Sequence, residues 1–299
     1  MRAFLVAAIT IALLALAPAD RAFARDKAAA VDTPALWKID GPKGDVYLFG
    51  SVHLLPQGVN WRTPALDAAL NEARVIAFEI DLDEARNLGA TQQLIAKLGM
   101  LPAGQTLRKL LAPQQREKFE RVAAAVGGPA PALYAFRPWL AAVTVSVQWI
   151  ISKGFDPESG VDERIWEWAK ENNKERVALE TSESQLSVFA GLTREQEIEF
   201  LIITLDQIET MPNMLNELIT AWRKGDTAKL DKIMNTGIED FPPLTKRLMH
   251  DRHAKWLPQI ERMIADGRTH VVVVGGAHLV GKDSVIAMLR AKGVKVEGP

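Results

Sequence analysis

Residues 271–281 of the chain read VVVVGGAHLVG, and this stretch decides the fold. Four consecutive valines form an apolar run that is too short for a helix and is typical of a strand buried on both faces. Glycine lets the chain turn sharply as it leaves a strand, and His278 follows three residues after Gly275. A strand inside a core has no need of an imidazole at its end, so His278 is a candidate functional residue.

An earlier stretch, VYLFGSVHLLP at residues 46–56, has the same pattern of an apolar strand followed by Gly50-x-x-His53. Two of the five histidines of the chain therefore follow predicted strands in the same local setting. A single histidine after a strand is more often a structural hydrogen-bonding group. Two in matched Gly-x-x-His settings favour a functional role as much as a structural one.

A third apolar run, Val75–Phe78, ends at Glu79, where an unpaired charge inside a core would be costly. Ligands bind outside the carboxyl ends of parallel strands in open α/β sheets. If the three strands are neighbours, His53, Glu79 and His278 converge on one crevice. The sequence therefore predicts one site at the edge of a sheet.

Two imidazoles and one carboxylate can hold a divalent metal ion and leave coordination positions open for water and substrate. Such an ion lowers the pKa of bound water towards about 7 and polarises a carbonyl oxygen. Glu79 could be a metal ligand, or a general base beside two histidine ligands. The residue pattern does not separate these roles.

Predicted strands lie at both ends of the chain with helices between them, which indicates an α/β fold with a central mixed sheet built from N- and C-terminal segments. A long, mainly helical middle of about residues 83–267 is expected to form a cap or outer layer. We expect a single domain over residues 35–299, preceded by a loose segment at 25–34. The predicted strands are 36–39 and 46–49 (a hairpin), 74–81, 176–181, 269–275 and 294–297; helices are predicted to start at Thr63-Pro64 and to cover 282–292.

Residues 1–24 have the pattern of a cleavable signal peptide. Met1-Arg2 is positively charged, an apolar stretch runs to about Ala17, and Ala22-Phe23-Ala24 supplies the A-x-A exit. The apolar stretch is shorter than the roughly 20 residues that span a bilayer. We therefore expect cleavage after Ala24, a periplasmic or secreted protein, and no stable membrane anchor after cleavage.

Composition excludes several classes of function. Lys and Arg number 36 against 37 Asp and Glu, so no excess of positive charge indicates a nucleic-acid partner. The absence of cysteine excludes a thiol nucleophile and disulfides. Residues 276–283 approach a P-loop, but Asp283 stands where the magnesium-binding hydroxyl is needed. No G-x-S-x-G or H-E-x-x-H motif occurs.

Several features occur together in the chain: the two Gly-x-x-His motifs, the strand-borne Glu79 between them, Gly160-Val161-Asp162, and Leu179-Glu180-Thr181 with Gln185-Leu186 after it. In this combination the sequence resembles the TraB/GumN family, which includes the animal Tiki proteases. The resemblance covers about residues 35–298. It implies a metal-dependent hydrolase fold with Mn or Co as cofactor, Zn also being possible, and a peptide or protein substrate. It places His53, Glu79 and His278 on metal or catalytic positions.

The resemblance also indicates supporting residues. Gly50, Gly275 and Asp162 belong to its motifs, although Asp162 could also cap the helix that follows it. Arg252 is a candidate for binding an oxyanion or a substrate carboxylate. At position 253 the family often has Asn, and His253 either substitutes for it or changes the chemistry.

The remaining histidines have simpler interpretations. His250 and His253 are three residues apart, so they could share a helix face and bind metal, but a solvated face explains them as well. His270 precedes its strand, which places it at the opposite edge of the sheet in a structural role.

The sequence thus predicts an exported metal-dependent hydrolase that cleaves peptide or amide bonds. Two alternatives stay open: a non-catalytic periplasmic binding protein for metal, haem or peptide, and a metal-free esterase with one histidine as base.

Overall fold

The computed structural model describes residues 32–235 and 241–299. They form a five-stranded mixed sheet, a two-stranded antiparallel ribbon and a large helical part. The predicted fold class, a mixed α/β sheet with a helical middle, is confirmed. The strands are β1 (Leu36–Ile39), β2 (Val46–Ser51), β3 (Leu55–Pro56), β4 (Val75–Phe78), β5 (Phe155–Asp156), β6 (Glu175–Ala178) and β7 (His270–Gly275). The strand order in the five-stranded sheet is β1-β2-β7-β4-β6.

Strands β1 and β2 form the predicted hairpin. They pair antiparallel, with Ile39 opposite Val46 and Leu36 opposite Phe49. The turn between them packs tightly, because a side chain at Gly44 would lie 2.6 Å from the backbone carbon of Arg268. The hairpin therefore holds β1 at the edge of the sheet and β2 inside it.

Strands β2, β7, β4 and β6 run parallel. All six residues of β7 are buried, as expected for a strand with neighbours on both sides. Ser51 at the end of β2 pairs with Gly275 at the end of β7, and Phe78 at the end of β4 pairs with Val273. Three strands that come from distant parts of the sequence thus end at one edge of the sheet, which we call the carboxyl edge.

The helices lie mostly in the long middle of the chain. Thr63 caps the first of them, accepting a hydrogen bond from the Leu66 N–H with Pro64 at the first helical position, as predicted. The α-helices are α1 (Pro64–Glu72), α2 (Leu82–Ala85), α3 (Leu88–Leu98), α4 (Leu107–Leu110), α5 (Pro113–Ala125), α6 (Pro138–Ser152), α7 (Val161–Glu171), α8 (Ser182–Ala190), α9 (Arg194–Thr210), α10 (Met214–Arg223), α11 (Thr227–Met234), α12 (Pro242–Thr245), α13 (Asp251–Ala265) and α14 (Val285–Ala291); a π-helical turn covers Lys246–His250, and 3₁₀ turns cover Ala130–Leu133, Pro157–Ser159 and Gly276–His278.

Aromatic side chains connect the helical part to the sheet. Within the helices, Trp139 stacks on Phe189 with ring centroids 6.0 Å apart, and Phe189 contacts Phe200 at 5.3 Å. At the sheet, Phe78 of β4 meets Trp166 of α7 edge to face at 4.9 Å. These side chains are almost fully buried and belong to one continuous hydrophobic core.

The C-terminus corrects one prediction. A strand was expected at 294–297, but the described residues there make only an isolated bridge, in which Lys38 and Glu297 exchange two backbone hydrogen bonds. Gly298 follows with φ of 125°, so the backbone leaves the extended conformation after one pair. The preceding helix also starts later than predicted, at Val285, because Ser284 caps it.

The predicted signal peptide, residues 1–24, lies outside the described residues. In the part of the chain that the structure describes, no helix combines the length and the apolar character needed to cross a membrane.

The packing of β4 on α7 predicts a stability effect. Replacing Phe78 with Ala removes a ring that is 1% exposed and leaves a cavity against Trp166. We expect a loss of about 3–5 kcal/mol in the free energy of unfolding, measured by urea denaturation. Leu88→Ala is the control, because Leu88 is 62% exposed and its removal should cost less than about 0.5 kcal/mol. Equal losses in the two variants would contradict the described packing.

Candidate functional site

The carboxyl edge brings the three predicted site residues into one buried region. His53 follows β2, Glu79 follows β4, and His278 ends the 3₁₀ turn after β7. Their exposed fractions are 3%, 3% and 0%. The predicted adjacency of the three strands is therefore observed, and His278 Nε2 lies 3.8 Å from Glu79 Oε1.

A buried arginine lies at the centre of this region. Arg252 is 2% exposed, and its Nη2 binds a carboxylate oxygen of Glu79. Its Nε and Nη2 donate to Glu180 Oε1 at 2.9 and 2.5 Å. Its Nη1 donates to His278 Nε2 at 2.9 Å. Burial works against the charge of Arg252, but the charges of Glu79 and Glu180 outweigh it and raise the pKa of the guanidinium. Arg252 is thus a permanent internal cation.

Further hydrogen bonds orient the carboxylates. Glu79 Oε1 accepts from the Gly275 N–H at 2.7 Å, and Glu79 Oε2 accepts from Gln185 Nε2 at 3.0 Å. Burial raises the pKa of Glu180 even though the charge of Arg252 acts in the opposite direction. The Arg252 guanidinium therefore pairs with both buried carboxylates, and a backbone N–H and a side-chain amide donate the remaining hydrogen bonds.

His53 belongs to a second pair. Its Nδ1 lies 2.5 Å from Asp162 Oδ2, and the two side chains are 3% and 5% exposed. Burial acts to lower the pKa of His53, but the charge and hydrogen bond of Asp162, with a smaller contribution from Glu79, raise it overall. The other ring nitrogen, Nε2, is buried and has no hydrogen-bond partner among the described residues.

The chain geometry around Gly160 makes this pair possible. The Val161 N–H donates to the Val52 carbonyl at 3.0 Å, so the start of α7 lies against the turn that carries His53. A side chain at Gly160 would place its Cβ 2.2 Å from the His53 carbonyl oxygen. Glycine is required here, and it lets Asp162 reach the imidazole.

A third group extends from His278. His278 Nδ1 and His253 Nε2 are 2.9 Å apart, and His253 Nδ1 lies 2.9 Å from the carbonyl oxygen of Asp283. Burial lowers the pKa of His253 to about 4. Burial and the nearby charge of Arg252 lower the pKa of His278 well below its ordinary value. Both imidazoles are neutral near pH 7.

Helix α13 supplies Arg252, His253 and Trp256 to the site. Arg252 and His253 follow the π-helical turn Lys246–His250, a local irregularity that is common next to functional sites. Trp256, one turn further on, packs 4.5 Å from the Arg252 guanidinium and 4.8 Å from the His278 ring. Its indole fixes one side of both groups.

The structure separates the predicted supporting residues. Gly275 donates to Glu79, whereas the carbonyl of Gly50 accepts from the indole Nε1 of Trp222 at 2.8 Å. His250 and His253 differ in burial, since the side chain of His250 is 52% exposed and His253 is fully buried. His270 lies at the opposite end of β7, where its Nδ1 is 2.8 Å from the Arg268 carbonyl oxygen.

Sequence reasoning missed two members of the site. Glu180 and Gln185 were noted only as part of a motif, yet both bind the Arg252–Glu79 pair. The available signal was that Glu180 ends the apolar run of residues 177–179 in the same way as Glu79 ends Val75–Phe78. The four-residue spacing from Thr181, the cap of α8, to Gln185 also places the amide one helical turn along the same face.

A divalent metal ion needs side chains whose donor atoms are free to bind it. Glu79 and His278, two of the three predicted ligands, already bind the Arg252 guanidinium. Two unit positive charges about 4 Å apart repel by about 4 kcal/mol at an effective dielectric constant of about 20, and a divalent ion doubles that. Among the described residues no cluster of three His, Asp or Glu side chains has the geometry of a metal site. While Arg252 keeps its contacts to Glu79 and His278, the arrangement does not fit a divalent metal ion. Metal binding stays a prediction.

The fold and the site together define a class: an α/β protein with a mixed sheet, two Gly-x-x-His turns and a buried charged cluster at the carboxyl edge. The sequence profile described as the TraB/PrgY/gumN family matches residues 35–298. The chain belongs to the TraB/PrgY/gumN family.

Individual relatives are distant and carry no functional name. An uncharacterized protein YbaP of Escherichia coli (strain K12) is 25% identical over 246 residues, which cover 82% of this chain and 87% of the relative. The YbaP protein of Shigella flexneri matches with the same figures. An uncharacterized protein of Treponema pallidum (strain Nichols) is 22% identical over 273 residues, covering 86% and 80%. No solved structure matches.

Removing the internal cation should strongly destabilise the protein. Arg252→Met leaves Glu79 and Glu180 buried without their partner, so we expect a loss of about 3–5 kcal/mol in the free energy of unfolding at pH 7. The pKa of Glu180, already raised by burial, rises further in this variant. The native state of the variant then binds more protons than the unfolded state, so the loss shrinks as the pH falls from 7 to 5.

Arg86→Met is the matched control for this change. Arg86 also binds two glutamates, Glu163 and Glu167, but its side chain is 37% exposed. Its removal should cost less than about 1 kcal/mol at pH 7, because the guanidinium is partly solvated. A loss at Arg252 no larger than that at Arg86 would contradict the cluster as described.

Proposed function

We propose that the chain is a hydrolase of ester or amide bonds in which His53, oriented by Asp162, activates a water molecule as general base. One observation carries the proposal: His53 Nδ1 is 2.5 Å from the Asp162 carboxylate, while Nε2 is buried and has no partner among the described residues. A buried polar atom without a partner is uncommon in a native protein and calls for a water molecule or ligand as its partner.

The tautomer follows from the carboxylate. An ionised carboxylate only accepts hydrogen bonds, so His53 Nδ1 carries the proton and donates a hydrogen bond to Asp162. The lone pair of Nε2 is then available to take a proton from water as the water oxygen forms a bond to the carbonyl carbon. Asp162 holds the ring in this orientation and stabilises the imidazolium that forms. The same proton can pass from Nε2 to the departing alcohol or amine.

Arg252 is suited to stabilise the negative charge that develops on the carbonyl oxygen. A guanidinium has five N–H groups, and four contacts engage Arg252 with Glu79, Glu180 and His278. Within residues 32–235 and 241–299, these contacts leave one N–H of Nη1 for a substrate oxygen. Because Arg252 is already held by its partners, it would need little reorganisation during the reaction. The charge of Arg252 also acts on the pKa of His53, which indicates that the two groups are close.

Two helices lie against the Gly-x-x-His turns, so a small substrate should be tested first. Trp222 of α10 bonds to the Gly50 carbonyl at 2.8 Å, and Asn235, next to α11, bonds to the Val280 carbonyl at 3.1 Å. Both contacts hold helices against the two Gly-x-x-His turns. A small ester such as 4-nitrophenyl acetate is therefore the appropriate first probe, followed by an aminoacyl 4-nitroanilide for amide cleavage.

A metal-dependent hydrolase is the second candidate. It is favoured by the convergence of Glu79 and His278 on one cation and by the unpartnered Nε2 of His53 nearby. A metal held by these three residues would supply Lewis-acid chemistry, and Arg252 would first have to leave Glu79 and His278.

Elemental analysis of protein purified without chelator separates the candidates. About one divalent ion per chain, absent from a His53→Ala, His278→Ala double variant, would support the metal.

We also propose that the protein acts outside the cytoplasm, because residues 1–24 have the signal-peptide pattern. N-terminal sequencing of the protein isolated from the periplasm or medium tests this, with a new terminus at Arg25 as the expected result.

Retention of a metal, haem or peptide ligand without turnover of either probe would favour the alternative of a binding protein.

The proposed base predicts a specific pH profile. Because His53 must be neutral to accept a proton and its pKa is raised above the ordinary 6.5, activity should increase with pH through an inflection above 6.5. His53→Ala should lower kcat by about 10²- to 10⁴-fold. Asp162→Asn removes the charge that raises the pKa, so its residual activity should have its inflection at lower pH. Hydrolysis of 4-nitrophenyl acetate from pH 5 to 9 measures all three.

Two further variants make the pH experiment specific: one is a control and the other tests an alternative nucleophile. His250→Gln changes a histidine whose side chain is 52% exposed, and it should leave kcat unchanged. Ser51→Ala tests a rival nucleophile, since Ser51 Oγ is also buried without a partner among the described residues. Loss of activity in Ser51→Ala would replace water attack with a covalent mechanism. An unchanged kcat in His53→Ala would remove the proposal.

A further inference from the structure

We infer that His253 is a positioning residue, which fixes the tautomer of His278 and so the direction of the free N–H of Arg252. The inference extends from four groups in contact: Arg252, His278, His253 and the backbone carbonyl of Asp283. Its structural part holds for any reaction at this site. Its catalytic consequence rests on the proposed function.

One end of this row of groups can only donate. Arg252 carries N–H groups and no acceptor atom, and it stays charged. Its Nη1 lies 2.9 Å from His278 Nε2, so this nitrogen must accept with its lone pair. A neutral imidazole has one donor and one acceptor nitrogen. The proton of His278 is therefore on Nδ1.

The other end can only accept. The Asp283 carbonyl oxygen lies 2.9 Å from His253 Nδ1, so the proton of His253 is on Nδ1. That leaves the lone pair on His253 Nε2, which lies 2.9 Å from His278 Nδ1. Both ends therefore require the same direction of donation, from Arg252 to His278 to His253 to the carbonyl. The tautomers are set twice over by independent partners.

The direction of donation explains how His253 affects Arg252, a side chain that it does not contact. Without an acceptor at position 253, the His278 Nδ1 proton would be buried without a partner, because His278 is fully buried. The Nε2–H tautomer would then compete, and it would direct an N–H at the N–H of Arg252. The Nη1 contact would be lost, and the N–H proposed for the substrate oxygen would lose its direction.

Packing alone does not account for the arrangement. Trp256 lies 4.8 Å from the His278 ring and 6.0 Å from the His253 ring, and it keeps both rings in place without choosing a tautomer. His250 is the other histidine near Asp283, but its side chain is half exposed and its Nε2 is 3.7 Å from the Asp283 carboxylate. The choice of tautomer is made by the hydrogen-bond partners at the two ring nitrogens of His278, Arg252 at Nε2 and His253 at Nδ1.

A pair of nearly isosteric variants tests the inference. In His253→Gln the amide oxygen can accept from His278 Nδ1, whereas in His253→Met a side chain of similar length has no comparable acceptor. Nitrogen-15 NMR of protein labelled at histidine reports which ring nitrogen carries the proton. We expect the Nδ1–H form of His278 in the wild-type protein and in His253→Gln, and loss of that single form in His253→Met.

Kinetics with 4-nitrophenyl acetate give the second readout. His253→Met should lower kcat by about 10- to 100-fold with KM within about twofold, and His253→Gln should restore most of it. His250→Gln is the matched surface control and should change neither readout. Wild-type His278 in the Nε2–H form would overturn the inference, and so would the same tautomer and kcat in the Met and Gln variants.

The two proposals fail in different ways. If the wild-type protein hydrolyses neither ester nor anilide, the proposed function is lost while the nitrogen-15 shifts still decide the tautomer. If His253→Met does not fold, the wild-type protein and His253→Gln alone decide it, because both must show the Nδ1–H form.

Discussion

The buried ion pairs of Arg252 are the interaction on which the rest of the site depends. One guanidinium on helix α13 binds Glu79 after β4, Glu180 after β6 and His278 after β7, so it ties together the ends of three parallel strands. Two carboxylates without this cation would be very costly inside a core. The order of the strands, the glycine turns that follow them and the position of α13 together bring these carboxylates within hydrogen-bond distance of Arg252.

The charges of the site divide into two groups with different consequences. In the first, Arg252 neutralises one of its two carboxylates, and the Gly275 N–H and Gln185 amide stabilise the remaining charge on Glu79. In the second, Asp162 pairs with His53 alone. Glu79 and Arg252 act on the pKa of His53 in opposite directions, so the first group tunes the second without bonding to it. A base and a fixed positive charge are thereby held close together but separate.

Part of the fold and part of the site could be predicted from the sequence, because they depend on local chemistry. The apolar runs, their glycines and the carboxylate after Val75–Phe78 predicted three strands and three polar ends. The four strands of the parallel part, the hairpin and the capped helix at Thr63 were predicted for the same reason. The expected strand at 294–297 was wrong, because strand formation there needs a partner over several residues and Gly298 turns the chain away after one pair.

The sequence by itself determined that His53, Glu79 and His278 lie at the ends of strands, since periodicity and glycine are local signals. Only the tertiary structure decided what these residues contact. Arg252 lies 173 residues from Glu79, and Asp162 lies 109 residues from His53, so neither pairing can be derived from spacing. The same holds for His253: whether a histidine is solvated or the acceptor of a buried imidazole depends on which helix face packs against the sheet. Electrostatics at short range selects the partners, and only the fold brings them within that range.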